Sequence, residues 1–457
     1  MLHTDFRGKA VTVLGVGISN TPLLSFLLDH GAKVTARDRK AFDALPDAAR
    51  ALKERGVTFL NGDDYLKDIR ADYVFRSPGI RYDKPEILKA IAEGAVLTSE
   101  MELFFEECPC TLIGVTGSDG KTTTTTLISK ALAMQYGEEH VYVGGNIGRP
   151  LLPIVEQMTK EDFAVVELSS FQLHTMKRSP DIAVITNISP NHLDWHTGMD
   201  EYIASKKNIF LHQKHSSRLV LNRNNAITAA MEHENAPGTT VTMFNDPDGI
   251  YLREDGMIVL RGVNYMEASD ILIPGRHNID NYMTMIAALE GLVSNENVKT
   301  LARTFGGVEH RCELVAEIGG VSYYNSSIDS SPTRTLAALS NFRKKPIVIM
   351  GGYDKHIPFD PLARPVCEKC KAVILTGATG EKIGEVIRAC PAYRENEPYL
   401  RYVPDFREAA EAARDYAESG DIVLLSPACA SFDAFPNFEV RGNTFKEIVR
   451  SFAQNQN

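Results

Sequence analysis

Residues 114–126 read GVTGSDGKTTTTT, and this stretch decides the fold expected for its part of the chain. Apolar residues lead into it from Leu112, and a segment compatible with a helix follows it. Glycines let a loop turn its backbone N–H groups toward an anion, and the amino end of a helix adds partial positive charge. The order strand, glycine-rich loop, helix therefore predicts a cradle for phosphate groups.

The side chains of this loop suit a nucleoside triphosphate. Lys121 is placed to reach the β- and γ-phosphates, and the hydroxyl of Thr122 suits Mg²⁺. The strict pattern G-x-x-x-x-G-K-[ST] is not fully met, because Val115 stands where its first glycine would fall and Gly114 precedes it. The alternative is a glycine-rich turn that ends in an exposed lysine. It is disfavoured because strand, loop and helix follow in the order that the motif needs.

Length and composition indicate a large globular protein. At roughly 150 residues per domain, 457 residues suggest about three domains. Hydrophobic residues make up 44% and charged residues 24%, which is typical of proteins with buried cores. The net charge of −10 argues against nonspecific binding to nucleic acid. No apolar run approaches the roughly 18 residues of a membrane span, and we expect neither a membrane interaction nor a signal peptide.

The seven cysteines are an odd number and are scattered along the chain. Together with the missing export signal, they indicate reduced thiols and a cytoplasmic location. Cys367 and Cys370 have C-x-x-C spacing, but no second Cys/His pair stands near them in sequence. We interpret them as a chance pair on a helix rather than as a zinc or redox site.

Predicted strands and helices alternate along almost the whole chain, which favours α/β domains with parallel sheets. We predict a Rossmann-like amino-terminal domain (1–108), a central P-loop ATPase domain with a mostly parallel sheet (109–309) and a Rossmann-like carboxy-terminal domain (310–457). A β-hairpin is expected within 249–263, and a helix at Tyr282–Leu292.

The first predicted strand is followed by Gly15-Val-Gly17-Ile-Ser-Asn20. This matches G-x-G-x-x-G except that Asn20 takes the place of the third glycine, so it is a weak dinucleotide signal. Asp38 ends the next strand, about where nucleotide-binding folds place an acid. A mononucleotide or UDP-type ligand fits this pattern better than NAD, and an NAD-dependent oxidoreductase is disfavoured.

Three further residues are candidates for the central site. Glu167 closes the apolar run FAVVEL, where a carboxylate is costly unless it is paired or metal-bound; the alternative is an exposed strand end. His192 follows the predicted strand Ile182–Asn187, where loops collect ligands, although a loop histidine on its own is more often structural or solvated. From composition alone, Lys206 is expected to be an ordinary lysine on a helix surface.

Several motifs together carry a family resemblance. Read in order, they are SPGI (77–80), SEMELFF (99–105), GVTGSDGKTT (114–123), GGNIG (144–148), ELSSFQL (167–173), NHLD (191–194), HR (310–311) and LSPACASFDAFPNFEVRGNTF (425–445). This series resembles the Mur ligase family, and the resemblance covers all three predicted domains. No single motif would carry it.

The resemblance implies an ATP-dependent ligase of peptidoglycan precursor synthesis. Within the family, the motifs are most similar to the members that add D-glutamate to UDP-N-acetylmuramoyl-L-alanine. The implied reaction passes through an acyl phosphate and yields ADP and phosphate. The alternatives are another amino-acid-adding ligase of the family and a nucleotide-binding regulator without ligase activity. The implied partners are the three small-molecule substrates alone, and we expect a monomer.

The resemblance also assigns residues. Lys121, Glu167, His192 and Lys206 are implied to be catalytic; Thr122 and Glu167 would hold one Mg²⁺, and His192 with a carbamylated Lys206 would serve a second. The implied ATP contacts are Gly117, Ser118, Asp119, Gly120, Lys121, Thr122, Thr123, Asn278, Asn281 and Arg311, and the contact of Arg311 would make domain closure a condition for catalysis. The implied contacts to the UDP substrate are Ile18, Ser19, Asp38, Arg39, Ser77, Gly79 and Asn146. Those to D-glutamate are Ser330, Lys355, Ser431 and Phe438.

The chain departs from the family pattern in one segment above all. Many members have Asn-Asp-Ser-Lys-Ala-Thr where residues 325–330 read NSSIDS. The aspartate implied to bind the ATP ribose is therefore Ser326, and the lysine position is Ile328. Asp329 is the candidate to take over the ribose contact. In addition, Asn191 stands where the family has an aspartate before its histidine.

Overall fold

The computed structural model describes residues 2–17, 19–193, 195–355 and 357–454. The chain divides into two compact units. One consists of Met1–Asp270 and Ile279–Leu301, and the other of Ile271–Asn278 and Ala302–Asn457. The described residues form three sheets, two in the first unit and one in the second.

The first sheet has five parallel strands in the order β3-β2-β1-β4-β5. Because β1 lies between β2 and β4, the loops after β1 and β4 face each other at the point where the strand order reverses, which is where such sheets bind ligands. Its elements are β1 (Ala10–Leu14), α1 (Asn20–Asp29), β2 (Lys33–Asp38), α2 (Asp47–Ala51), β3 (Thr58–Asn61), β4 (Tyr73–Arg76), α3 (Pro85–Ala92), β5 (Val96–Thr98) and α4 (Glu100–Glu107).

The second sheet has nine strands in the order β14-β13-β12-β11-β10-β9-β6-β8-β7. It is parallel from β7 to β12, and β12, β13 and β14 continue it as antiparallel strands. The elements are β6 (Thr111–Thr116), α5 (Lys121–Tyr136), β7 (Val141–Gly145), β8 (Phe163–Glu167), α6 (Ser170–Leu173), β9 (Ile182–Ile185), α7 (Met199–Lys207), β10 (Arg218–Asn222), α8 (Ala226–Ala229), β11 (Thr240–Phe244), β12 (Ile250–Leu252), β13 (Met257–Leu260), β14 (Val263–Glu267), α9 (Arg276–Ala288) and α10 (Asn295–Thr304).

The third sheet has six strands in the order β15-β16-β20-β17-β18-β19, and only the edge strand β15 is antiparallel to its neighbour. The elements are β15 (Glu313–Ile318), β16 (Val321–Asn325), α11 (Pro332–Leu339), β17 (Ile347–Met350), α12 (Asp360–Lys369), β18 (Ala372–Leu375), α13 (Gly380–Arg388), β19 (Tyr399–Tyr402), α14 (Phe406–Tyr416), β20 (Ile422–Leu425) and α15 (Phe438–Gln454). Strands β17 and β18 are buried along their whole length, as expected for a parallel sheet covered on both faces.

The predicted α/β class with mostly parallel sheets is confirmed, and so is the hairpin, as β12 and β13. The boundaries proposed for the three domains stay a prediction. The helix predicted to begin at Tyr282 begins at Arg276, because its first turn is polar and largely exposed and shows no apolar periodicity. Cys367 and Cys370 are buried free thiols, at the end of α12 and just after it. Among the described residues, no helix is both long enough and apolar enough to span a membrane.

Candidate active site

The glycine-rich loop connects β6 to α5 as predicted, and its glycines are required by geometry. Gly120 precedes the helix with a φ of +78°, and a Cβ atom there would lie 2.6 Å from Oδ1 of Asn281. Gly117 has a φ of +150°, and a Cβ atom there would lie 1.9 Å from Oγ1 of Thr186. Both positions therefore exclude side chains, and the loop can bring its backbone N–H groups close to an anion.

Gly114, the glycine that precedes the loop, has a packing role in the strand. It lies in the middle of β6, and a Cβ atom at this position would lie 2.8 Å from Cγ of Pro180. Its neighbour Val115 is fully buried in the sheet. Gly114 is therefore required by packing within β6, because Pro180 lies directly against the strand.

Lys121 is half-buried and turns back over the loop. Its Nζ donates hydrogen bonds to the carbonyl oxygens of Gly117, at 3.0 Å, and Ser118, at 2.9 Å. The Ser118 hydroxyl is hydrogen-bonded to the Tyr202 hydroxyl on α7 at 2.9 Å and accepts the N–H of Ser189 at 2.9 Å. The loop is thereby joined to the segment after β9 and to α7.

Glu167 is buried at the end of β8, with 1% of its surface exposed, so the exposed strand end considered as an alternative is wrong. Its Oε1 accepts a hydrogen bond from Nδ2 of Asn146 at 2.8 Å. Its Oε2 is buried and has no hydrogen-bond partner among the described residues. A buried carboxylate oxygen without a partner is costly. This is the environment that a bound cation would satisfy, and Asn146 holds the carboxylate in place.

Lys206 is not a surface lysine, so the expectation from composition is wrong. Only 1% of its surface is exposed, and its Nζ donates to the carbonyl oxygen of Gly117 at 2.8 Å and to Oγ1 of Thr116 at 3.2 Å. Burial lowers the pKa of the amine well below its ordinary value, and the charge of Lys121 adds to the shift. In the last turn of α7, Ser205 and Lys206 are buried, and Lys206 reaches the carboxyl end of β6 and the glycine-rich loop through these two bonds.

His192 is exposed on the segment after β9, with a φ of +54°. The side chain of Asn191 accepts the N–H of His192 at 2.9 Å, which an aspartate at this position could equally do. The ring of His192 lies 4.9 Å from that of Phe171. Among the described residues, no group of three or more His, Cys, Asp and Glu side chains could hold a metal ion by itself.

The first sheet brings the predicted UDP-side residues to the carboxyl ends of β1, β2 and β4, except Asn146, which follows β7 of the second sheet. Asp38 accepts the N–H groups of Val16, at 2.7 Å, and Lys40, at 2.8 Å, so its carboxylate fixes the loop after β1. A Cβ atom at Gly15 would lie 2.8 Å from that of Ser77, which places the two loops in contact. The other predicted residues are Ser19, half-buried, and Arg39 and Gly79, both exposed; Ile18 lies outside the described residues.

Asn20 shows why the third glycine of the fingerprint is absent. It is buried at the first position of α1, and its amide donates to the carbonyl oxygens of Gly15, at 2.7 Å, and Leu14, at 3.3 Å. The side-chain amide of Asn20 therefore stabilises the end of β1 in this chain. The dinucleotide pattern has a glycine at this position, which carries no side chain to make these bonds.

The predicted ATP contacts outside the loop fall in both units. Asn281 is buried, and its Oδ1 accepts a hydrogen bond from the Thr124 hydroxyl at 3.2 Å. Asn278 and Arg311 belong to the second unit, and their roles stay predictions. Arg311 is exposed between His310 and Cys312, which have φ values of +61° and +43°.

In the second unit, the predicted D-glutamate residues follow the carboxyl ends of β16, β17 and β20. Ser330 and Phe438 are half-buried, Ser431 is buried, and Lys355 is exposed. The N–H of Tyr353 donates to the carbonyl oxygen of Ala430 at 3.0 Å, which pairs the segment of Lys355 with that of Ser431.

Ser326 and Asp329 lie beside each other, a point that could not be decided from the sequence. Both are buried, and the backbone N–H of Asp329 donates to the carbonyl oxygen of Ser326 at 3.0 Å. The Ser326 hydroxyl lies close enough to the Asp329 carboxylate to lower its pKa. Oδ2 of Asp329 also accepts the Ser426 hydroxyl at 2.8 Å. Burial raises the pKa of Asp329 to about 6. A carboxylate is therefore present beside position 326, although it is supplied by residue 329.

Sequence reasoning missed two buried arginines that organise these loops. Arg76 donates to the carbonyl oxygens of Pro78, at 2.9 Å, and Ile80, at 2.5 Å. Arg441 donates to those of Ser327, at 2.9 Å, and Ala430, at 3.0 Å, and so ties the segment after β16 to that after β20. Burial lowers the pKa of each guanidinium to about 10. The sequence did contain a signal for each of them. Arg76 stands at the end of an apolar strand, and Arg441 stands within one of the family motifs.

Comparison with known families gives three matches along the chain. The models matched are the Mur ligase MurD-like N-terminal domain at residues 9–99, the Mur ligase middle domain at 115–289 and the Mur ligase glutamate ligase domain at 310–429. Together they span all three sheets.

Curated relatives match over nearly the whole chain. The UDP-N-acetylmuramoylalanine–D-glutamate ligase of Clostridium novyi is 49% identical over 453 residues, which are 98% of each chain. The enzyme of the same name from Clostridium kluyveri is 49% identical over 446 residues, or 96% of each chain.

Solved structures share the fold at low sequence identity. UDP-N-acetylmuramate-alanine ligase from Thermotoga maritima has a TM-score of 0.57 at 18% identity, with 97% of this chain and 99% of that chain covered. MurF from Acinetobacter baumannii has a TM-score of 0.55 at 14% identity, with 97% and 92% covered. The three family models and the near-full-length relatives lead to one conclusion: the chain belongs to the Mur ligase family.

Proposed function

We propose that this chain is an ATP-dependent ligase that joins D-glutamate to UDP-N-acetylmuramoyl-L-alanine. The observation that carries the proposal is the near-full-length similarity, at 49% identity, to relatives named for this reaction. The buried Glu167 and Lys206 beside the glycine-rich loop support an ATP-dependent step. Another amino-acid-adding activity of the same family is the alternative.

In this reaction, a carboxylate oxygen of the L-alanyl group attacks the γ-phosphorus of ATP, so that an acyl phosphate forms and ADP leaves. The amine of D-glutamate then attacks the acyl carbon, loses a proton and displaces phosphate, which gives the amide. A carboxylate is a poor electrophile, and phosphorylation supplies the leaving group. The protein therefore has to position three substrates and neutralise phosphate charge.

We assign the binding of the ATP phosphate groups to residues of the glycine-rich loop. The N–H groups of Ser118 and Asp119 already donate to Asn187, so we assign phosphate oxygens to the N–H groups of Gly117 and Gly120 and to the amino end of α5. Lys121 moves from the loop carbonyls onto the β- and γ-phosphates. On the acceptor side, D-glutamate carries two carboxylates and needs cations and hydroxyls, which we assign to Lys355, Ser330 and Ser431, with Phe438 beside them.

The residues fit Mg²⁺, because Oε2 of Glu167 is buried without a partner among the described residues. The Thr122 hydroxyl, in the first turn of α5, and the His192 imidazole stand on the segments that follow the neighbouring strands β6 and β9. We assign Thr122 and Glu167 to one ion, and His192 with Lys206 to a second. When bound, the ions neutralise the charge that develops on the phosphate oxygens. Asn146 keeps Glu167 oriented by its hydrogen bond.

We further propose that Lys206 is carbamylated. The neutral amine adds to the carbon of CO₂, an N–C bond forms, and one proton is released. The proposal is supported by the burial of Nζ against two oxygen atoms and by its position beside the loop, where a carboxylate-like group could face a cation. With ¹³C-bicarbonate, the wild type should give a carbamate resonance that is absent from Lys206→Met. Equal spectra would refute the modification.

The activity is tested by phosphate release from ATP with Mg²⁺ and UDP-N-acetylmuramoyl-L-alanine, in separate reactions with D-glutamate, L-glutamate, meso-diaminopimelate and L-lysine. We expect release only with D-glutamate, together with a product of the matching mass. Release with another amino acid would keep the family and change the acceptor. No release with any of them would contradict ligase activity. Gel filtration with light scattering tests the expected monomer.

A further inference from the structure

Arg81 follows the turn 77–80 after β4 of the first sheet and contacts Trp195 and Glu201, which lie between β9 and β10 of the second sheet. Its guanidinium donates to both carboxylate oxygens of Glu201, at 2.9 and 3.1 Å, and to the carbonyl oxygen of Trp195 at 2.9 Å. Asp83 accepts its remaining N–H groups at 2.7 to 3.2 Å. Arg81 is only 20% exposed, and its bonds to Glu201 and Trp195 are partly buried, whereas those to Asp83 are exposed. A two-pronged pair of this kind fixes geometry as well as charge.

Glu201 lies in the first turn of α7, the helix that ends with Lys206 and Lys207. Its carboxylate also accepts the N–H of Thr197 at 2.7 Å, which holds the residues between His192 and α7. The hydrogen bonds from Arg81 hold the pKa of Glu201 at about 2, so it is a carboxylate at physiological pH. The pair therefore joins the turn 77–80 to the helix of Lys206.

Trp195 connects the same pair to the segment of His192. Its ring lies 5.0 Å from the Arg81 guanidinium and 4.7 Å from the ring of Phe171, which also contacts His192. Its indole N–H donates to the carbonyl oxygen of Gly79 at 3.2 Å, and its backbone N–H to that of His192 at 3.1 Å. A shift of Arg81 would thus be transmitted to both loops.

Two buried histidines complete the surroundings of Glu201. Nε2 of His174 lies 3.7 Å and Nδ1 of His196 3.4 Å from its carboxylate. Their other ring nitrogens are hydrogen-bonded to the hydroxyls of Ser205, at 2.7 Å, and Ser170, at 3.0 Å. Burial lowers the pKa of both imidazoles, so Arg81 is the cation that balances Glu201. Removing Arg81 would leave that carboxylate without a charged partner among these residues.

We propose that Arg81 is a positioning residue of the ligase reaction, which through Glu201 and Trp195 fixes the turn 77–80 relative to the segments that carry His192 and Lys206. This inference rests on the proposed function, because those segments flank the site of acyl phosphate formation. Neither Arg81 nor Glu201 belongs to any of the motifs that carry the family resemblance. Since misplacement by about 1 Å can cost about 100-fold in rate, the pair should be visible in turnover.

The test is steady-state kinetics of Arg81→Met, with Arg55→Met as the matched control. Arg55 pairs with Asp29 on the same domain, but both side chains are about half exposed, and surface pairs contribute little. We expect kcat of Arg81→Met to fall about 10- to 100-fold. The KM for ATP should change less than threefold, because the glycine-rich loop is untouched. Arg55→Met should keep wild-type kinetics.

Two further readouts separate positioning from a merely structural role. Activity is measured well below the unfolding temperature of each variant and expressed per folded molecule; an unchanged kcat for Arg81→Met would overturn the proposal. Millimolar guanidinium should partly restore the activity of Arg81→Gly and leave that of Arg55→Gly unchanged. The absence of any restoration would also count against the proposal.

If the methionine variant does not fold, the kinetics of Arg81→Lys test the proposal instead. Lysine keeps the charge but not the two-pronged contact, so an intermediate kcat supports the proposal and a wild-type kcat overturns it. Failure of the wild type to turn over would instead reject the proposed function.

Discussion

Glu167→Gln should make the protein more stable without magnesium and inactive with it. In the wild type, Oε2 of Glu167 is buried and lacks a hydrogen-bond partner among the described residues, while Oε1 accepts from Asn146 at 2.8 Å. Glutamine keeps the bond to Asn146 and replaces the buried charge by a neutral amide, whose N–H group also lacks a partner. An unsatisfied buried polar group costs about 1–3 kcal/mol and a charged one costs more, so we expect the metal-free variant to gain about 1 kcal/mol, the difference between the two.

Magnesium should reverse this order. A ligand that binds only the folded state, at 100 times its dissociation constant, adds about 2.7 kcal/mol of stability. The wild type should gain this stabilisation, and the glutamine variant should not, because it has lost the carboxylate assigned to the ion. For a domain of 150–250 residues, 1 kcal/mol corresponds to about 2–4 °C in unfolding temperature, which calorimetry resolves.

The assay is differential scanning calorimetry of both proteins in EDTA and in magnesium, combined with phosphate release. The control is Glu161→Gln, since the side chain of Glu161 is 73% exposed beside the same strand, and its replacement should change neither quantity. The reasoning would be refuted if Glu167→Gln were less stable than the wild type in EDTA, or if magnesium stabilised both proteins equally. Either result would mean that the buried Oε2 of Glu167 does not mark a cation site.

Three other predictions follow from single contacts. Lys121→Ala should lower the rate of D-glutamate-dependent phosphate release at least about 100-fold, as loss of a charge-stabilising donor does, and a wild-type rate would contradict its role. Gly120→Ala should cost about 1–2 kcal/mol in unfolding free energy because of the positive φ. It should also weaken ATP binding in calorimetric titration, since its Cβ would lie 2.6 Å from Asn281 Oδ1. Burial raises the pKa of Glu100 from 4.5 to about 7, which corresponds to about 3 kcal/mol. The protonated carboxyl therefore stabilises the fold below about pH 4.5, and this contribution is lost as the pH rises through about 7. Urea titrations should show that Glu100→Gln loses less stability than the wild type between these pH values, and parallel curves would show the attribution to be wrong.

The parts of the site that the sequence predicts are those whose chemistry is local. The glycine-rich loop follows from consecutive residues, because strand, positive-φ glycines and helix start are all written into residues 112–126. Glu167 follows from a single observation, a carboxylate at the end of an apolar strand. The hairpin of β12 and β13 follows from turn-forming residues between two apolar stretches.

The residues that the sequence alone misjudged, missed or left open depend on packing between distant elements. Lys206 has the sequence context of a surface lysine, and it is buried only because α7 brings it to the glycine-rich loop. Arg81 binds a carboxylate 120 residues away, which no local pattern indicates. Asp329 could be named as a replacement for the family aspartate, but only the fold around β16 and β20 brings it to the Ser326 hydroxyl.

The central claim, ligation through an acyl phosphate, is tested most directly with ¹⁸O in the L-alanyl carboxylate of the UDP substrate. With ATP, magnesium and D-glutamate, the released phosphate should carry one ¹⁸O atom for each amide formed, because the carboxylate oxygen becomes the bridging oxygen of the acyl phosphate. Mass spectrometry of the phosphate measures this directly. Amide formation with unlabelled phosphate would contradict the mechanism, and the absence of any amide would contradict the function.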